Sequence, residues 1–252
     1  MNDGGLRRWR GLAIVALASV AYGVLVSQQG WWVAALTRLF PTASAPVFPS
    51  ATMAELVLRH LAIVGISSAL TIAVGIPLGV WVTRASGRDF RELVAAGVDF
   101  GQTFPPVAVL ALMMPLLGLG IRPAVVALFL YGLFPVVSNT VAGLDAVPPS
   151  VLDSAQGMGM GKWRILFTVE MPLAARVIMA GVRTSVIVNI GTATVAAATG
   201  AGGLGDPIFA GINIQNLGYV FQGAIGAALL AVLADSLLAQ VERLVTPAGA
   251  AA

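Results

Sequence analysis

Residues 148–172 read PPSVLDSAQGMGMGKWRILFTVEMP, a mixed polar and amphipathic stretch set between two long apolar runs. The chain around it has the composition of a lipid-facing protein. Hydrophobic residues make up 58% and charged residues 10%, with a mean hydropathy of +0.92, where an ordinary soluble domain is roughly one-quarter charged. So few charges cannot cover a water-facing surface. The natural solvent is lipid, and 148–172 is the water-compatible handle of an integral membrane protein.

Outward from the handle, each apolar run is measured against the roughly 20 residues needed to cross a bilayer core. Runs at 11–27, 56–83, 93–119, 123–144, 173–199 and 217–239 predict an all-α architecture of six transmembrane helices. The first follows Arg7, Arg8 and Arg10 and leads into Gln28, Gln29 and Trp31-Trp32. Without a small-residue cleavage site it reads as a retained helix whose tryptophans mark the far interface. If the N-terminus is cytoplasmic, Arg7, Arg8, Arg10, Arg84, Arg88, Arg91, Lys162, Arg164, Arg176 and Arg243 share that side, against Arg38, Arg59 and Arg122 outside. That bias obeys the positive-inside rule and makes the handle cytoplasmic. Residues 28–54 then form an outer loop, where Pro41, Pro46 and Pro49 argue against a folded domain. The organisation is an N-terminal helix and loop (1–55) and a membrane domain (56–245) carrying the 145–172 loop.

Several function classes are excluded or disfavoured. There is no Cys, hence no disulfide or thiolate chemistry, and the single His60 cannot build a histidine metal cluster. His60 reads as a polar residue near a membrane interface. The net charge of +3 comes from scattered residues rather than a phosphate-tracking run, so nucleic acid is not a partner. Gly200, Gly202 and Gly205 match G-x-G-x-x-G, but an apolar helix precedes them and Asp206-Pro207 follows instead of a helix start. A re-entrant or gating loop at the outer mouth, or a plain flexible turn, fits better. Gly161-Lys162 lacks the rest of a P-loop, so ATP is not held by this chain. No paired carboxylates suggest an enzyme.

The apolar helices carry unusual punctuation: Gly75, Pro77, Gly79, Pro105, Pro106, Pro115 and Pro135. In lipid such breakers persist where neighbouring helices or a cavity re-satisfy the backbone. Kinks for packing explain each one singly; together they favour a transport pathway. Arg183 lies about 15 Å into the fifth helix at 1.5 Å per residue, and a partner for so costly an ion is expected in Asp99 or Asp235. Phe104, Phe129, Tyr131 and Phe134 are candidate faces for a quaternary ammonium.

Within the handle, Pro148-Pro149 stops the preceding chain, and Ser150 with Asp153 has the spacing of a capping box opening a short helix. Gly157, Gly159 and Gly161 interrupt it, each costing about 1 kcal/mol in a helix interior. A second short helix, 162–170, then presents Trp163, Leu166, Phe167 and Glu170 at helical spacing. Such a face can dock on a partner or lie in the headgroup layer.

Asp153-Ser154-Ala155, Gly159 and Glu170-Met171-Pro172 resemble the EAA loop of ABC importer permeases, with Asp for Glu and Ser for the first Ala. In that family the loop is a coupling helix seated in the ATP-binding subunit. The resemblance carries over to Asp153, Ala155, Gly159 and Pro172, and with the residues around them the candidates for the coupling loop are Asp153, Ser154, Ala155, Gly159, Lys162, Trp163, Glu170 and Pro172. From residue 56 onward, Gln102-Thr103-Phe104-Pro105-Pro106, Pro115-Leu116-Leu117-Gly118-Leu119-Gly120, Thr192-Ala193-Thr194 and the 200–206 stretch GAGGLGD are similar to permeases of osmoprotectant importers, which carry glycine betaine, choline and related compounds.

This resemblance implies a type I ABC permease fold of one N-terminal helix plus a five-helix core, in a bacterial inner membrane. It further implies a separate ATPase that uses ATP and magnesium, a second identical or paralogous permease, and an extracytoplasmic binding protein. The chain itself would hold no cofactor. Phe104, Pro105, Arg183, Asn189, Thr192, Thr194, Gly202, Gly203 and Gly205 are the pathway or gating candidates. A permease for another small solute such as an amino acid, and a stand-alone carrier, are the alternatives; no inverted repeat is evident for the latter.

Overall fold

A computed structural model describes residues 3–41, 43 and 45–245, with side chains from residue 11 onward. Among them the regular elements are helices: α1 (Asp3–Ser27), α2 (Gln29–Leu39), α3 (Met53–Val82), α4 (Arg91–Thr103), α5 (Pro106–Leu117), α6 (Ile121–Asp145), α7 (Pro149–Gly157), α8 (Lys162–Ile165), α9 (Met171–Thr192), α10 (Gly205–Asn213) and α11 (Leu217–Val245). A π turn, Leu166–Glu170, joins α8 to α9, and 3-10 turns occupy Arg88–Phe90 and Val195–Thr199. Arg7, Arg8 and Arg10 fall outside the residues whose side chains are described.

Four helical stretches are each long and apolar enough to cross a bilayer: α3, α6, Lys162–Thr192 and α11. The expected third span is broken in two, and the first run, unbroken to Ser27, is followed by a second helix; the count reaches six if each bent pair is one span. The bend between Ser27 and Gln29 is 77°. Trp32 is buried and its indole N–H donates to the Leu25 carbonyl at 3.0 Å. The expected outer loop therefore begins with an 11-residue helix that takes in Trp31 and Trp32. Further along, Ala45 and Phe48 are pinned: Asn216 Nδ2 donates to Ala45 O (2.7 Å) and Phe48 N–H donates to Gln222 Oε1 (2.8 Å).

The third run is interrupted at Phe104-Pro105, not continuous as expected. A residue before proline is driven out of the α region, and with two prolines in succession both Phe104 (ψ 134°) and Pro105 (ψ 137°) are extended. Pro106 then takes the first position of α5, where its missing N–H costs nothing. The opposite correction applies after the handle. No break separates 162–170 from the fifth span; the helix runs through the π turn immediately ahead of Pro172, which cannot donate to a regular ladder.

The chain divides into two units. One comprises Met1–Ser67, Pro105–Leu128 and Ile187–Leu237; the other comprises Ser68–Phe104, Phe129–Val186 and Leu238–Ala252. In the first, Tyr22 Oη donates to Gly226 O at 3.1 Å, tying α1 to α11. Thr52 and Glu55 open α3 with a reciprocal capping box: each backbone N–H donates to the other's side chain, at 2.8 and 3.3 Å.

In the second unit, glycines let helices approach closely. A Cβ at Gly79 would lie 2.7 Å from Thr140 Cβ, and one at Gly181 would lie 2.4 Å from Pro135 O. Pro135 has no N–H for the Tyr131 carbonyl one turn earlier. Gln102 Nε2 donates to that carbonyl at 3.1 Å and replaces the missing bond. Phe129 and Phe134 pack on Val98, Leu133 and Val137, and Phe104 sets its ring edgewise on Phe100 at 4.9 Å. These aromatic candidates are thus engaged in packing.

Candidate functional site

The handle belongs to the second unit and is built on an anchored base. Pro148 is extended and Pro149 occupies the first position of α7, which places Ser150 inside the helix instead of at its cap. The expected Ser150–Asp153 capping box therefore does not form, and Asp153 is exposed. Ala155 is buried at 2% exposure and Ser154 bonds back to Ser150 O. Gly159 turns the chain at φ +77°, a conformation that favours glycine.

Beyond the turn, the helical face splits. Leu166 is buried against Leu144, Ala174 and Ile178, and Glu170 is 6% exposed. Arg84 Nη1 donates to both Glu170 carboxylate oxygens, at 3.0 and 2.8 Å. Trp163 and Phe167, one turn apart, face the other way with rings stacked at 6.2 Å and exposures of 73% and 65%. Met158 is exposed too, at 74%, as are Gly159 and Lys162. Pro172 is half-buried. A second ion pair, Arg91 with Asp145, joins the start of α4 to the end of α6.

Arg183 reaches a carboxylate that sequence did not single out: its Nη1 lies 3.7 Å from Glu242 Oε2, and Arg176 Nε lies 4.0 Å from the same side chain. Phe104 and Pro105 form the break between α4 and α5.

The remaining pathway candidates gather in the first unit, around the end of α9 and the start of α10. Asn189 is fully buried, Thr192 ends α9, and Thr194 Oγ1 donates to Gly191 O at 2.7 Å. Gly202, Gly203 and Gly205 are buried. Asp206 and Pro207 lie in the first turn of α10, so a helix does start there, contrary to the sequence reading; proline suits a helix's first turn. Burial holds the Asp206 carboxyl above its ordinary range, opposed by the charge of Arg59.

His60, read from the sequence as a polar residue near a membrane interface, is fully buried beside this turn. Its Nδ1 accepts the Leu204 N–H at 3.3 Å, and its Nε2 lies 2.9 Å from Ile190 O. A lone polar residue inside an apolar run was the available signal for it. Tyr131-x3-Pro135 similarly announces an orphan carbonyl, and Thr52-x-x-Glu55 a cap. Among the described residues no group of three or more His, Cys, Asp or Glu side chains could hold a metal ion.

Residues 75–247 match the family described as binding-protein-dependent transport system inner membrane component. The chain belongs to this family. The permease is 45% identical over 191 residues to the glycine betaine/carnitine/choline transport system permease protein OpuCB of Bacillus subtilis (strain 168), a match covering 76% of this chain and 87% of the relative. It is 43% identical over 189 residues to the osmoprotectant import permease protein OsmY of Salmonella typhimurium (strain LT2), covering 75% and 80%. In fold the permease is similar to a chain of the MetNI methionine ABC transporter in an inward-facing conformation. The TM-score is 0.70 at 22% identity, over 77% of this chain and 96% of that one. The exposed handle and the glycine turn both lie inside the family match.

Proposed function

We propose that the permease is the membrane-spanning half of an importer for osmoprotectants of the glycine betaine, carnitine and choline type, driven by a separate ATPase docked on residues 148–172. The observation that carries the coupling role is the exposed, stacked Trp163–Phe167 pair, with Met158 exposed in the same handle, on a segment whose base is held by the buried Glu170. Three large apolar side chains that a water-facing loop would not leave open are a protein contact surface. Asp153, Ser154, Gly159 and Lys162 rim it, and Ala155, Glu170 and Pro172 shape its support.

A second permease and an extracytoplasmic binding protein complete the assembly. A cytoplasmic handle is supported by the division of basic residues. Along the sequence, Arg7, Arg8, Arg10, Arg84, Arg88, Arg91, Lys162, Arg164, Arg176 and Arg243 fall on the handle's side of the expected spans, against Arg38, Arg59 and Arg122 on the other. The solute class rests on the two relatives at 43–45% identity. It is tested by competition: in cells carrying the full system, uptake of labelled glycine betaine falls with excess choline or carnitine and stands with excess methionine. The reverse pattern refutes the solute class.

A further inference from the structure

His60 answers two backbone groups that helix geometry leaves without partners. Ile190 O is among the last carbonyls of α9, and Leu204 N–H immediately precedes α10; such terminal groups have no intrahelical bond. One imidazole serves both, reaching from α3 to the two ends of the 191–203 connection. Because Nδ1 accepts the Leu204 N–H, it carries no proton, so Nε2 bears the hydrogen and donates to Ile190 O. Space is as tightly set as hydrogen bonding: a Cβ at Gly203, where φ is +95°, would lie 3.1 Å from His60 Nδ1. The far side of the connection is tied independently, by Gly120 N–H donating to Thr199 O at 2.7 Å.

We infer that His60 is a positioning residue for transport: its ring holds the 200–205 turn in register with the ends of α9 and α10, and that register sets the turnover rate. The inference rests on the reading that this turn belongs to the pathway, so its test includes a measurement that needs no solute. The chain has no cysteine, which makes Ala201→Cys a clean single label site for a membrane-impermeant maleimide.

In the full transporter carrying Ala201→Cys, His60→Leu removes both bonds and labelling accelerates about tenfold, as a buried N–H and C=O lose their partners. His60→Gln keeps an acceptor and a donor and labels within about twofold of the parent. Uptake follows the same order, with Vmax falling in His60→Leu at unchanged apparent KM, because a separate protein captures the solute. Equal labelling in the His60 and Leu backgrounds overturns the inference, as does His60→Gln behaving like His60→Leu. Faster labelling with unchanged uptake overturns the link to transport. Should His60→Leu fail to accumulate in membranes, Gly203→Ala presses on the ring from the other side with the same expected acceleration, and unchanged labelling there is decisive against it. A cysteine-free wild-type transporter that takes up no betaine counts against the solute assignment and not against His60.

Discussion

Arg84 Nη1 lies 3.0 and 2.8 Å from the two carboxylate oxygens of Glu170, joining the chain just past α3 to the π turn at the base of the handle. Glu170 is nearly closed to solvent while Arg84 stays one-third exposed. The pair is thus an anchor between the base of the handle and the chain that follows α3.

Removing one partner leaves the other partly buried and unpaired, so Glu170→Ala and Arg84→Ala each destabilise by about 2 kcal/mol. The double variant costs clearly less than the sum, as residues in contact do. Thermal unfolding of the four proteins in detergent measures this; strictly additive losses contradict the anchor.

Trp163 has the opposite profile. Trp163→Ala removes an exposed side chain and shifts stability by no more than about 0.5 kcal/mol, yet lowers ATPase affinity more than tenfold, as a central Trp at an interface does. Retained ATPase co-purification at wild-type stringency tells against docking on this face.

How much of this was readable from the chain follows from how local each cause is. The break at Phe104-Pro105 was written in the prolines themselves, whose restriction acts on the adjacent residue. The exposed handle followed from composition. Burial of Glu170 did not, because its partner is 86 residues away and nothing within 162–170 distinguishes it from Trp163 on a helical wheel. His60 likewise takes its meaning from backbone groups at 190 and 204. The capping box assigned to Ser150 and Asp153 failed because Pro149 had already claimed the first helical position.

Gln102 and Pro135 make a compensating pair. Gln102→Leu leaves the Tyr131 carbonyl without its donor and costs about 1–3 kcal/mol. In a Pro135→Ala background, where residue 135 regains an N–H, the same change costs markedly less. An equal loss in both backgrounds, measured by thermal unfolding, removes the account of Gln102.

Asp206 gives a pH dependence of definite sign. A carboxyl raised in the folded state adds stability that is full below its unfolded pKa of about 3.9 and lost as pH rises through the folded value. Asp206→Asn is therefore relatively more stable than the parent at pH 7 than at pH 4. A difference in melting temperature that stays flat or shrinks between those pH values contradicts the burial of this carboxyl.

The central claim is transport driven in trans through the handle, and proteoliposomes test it most directly. Permease vesicles with binding protein and labelled betaine outside, prepared with and without the ATPase subunit and luminal ATP, give the comparison. The account predicts movement of solute against its gradient only when ATPase and ATP are both present, and its loss in the Trp163→Ala protein. Concentrative uptake by the permease with no ATPase subunit present would contradict it.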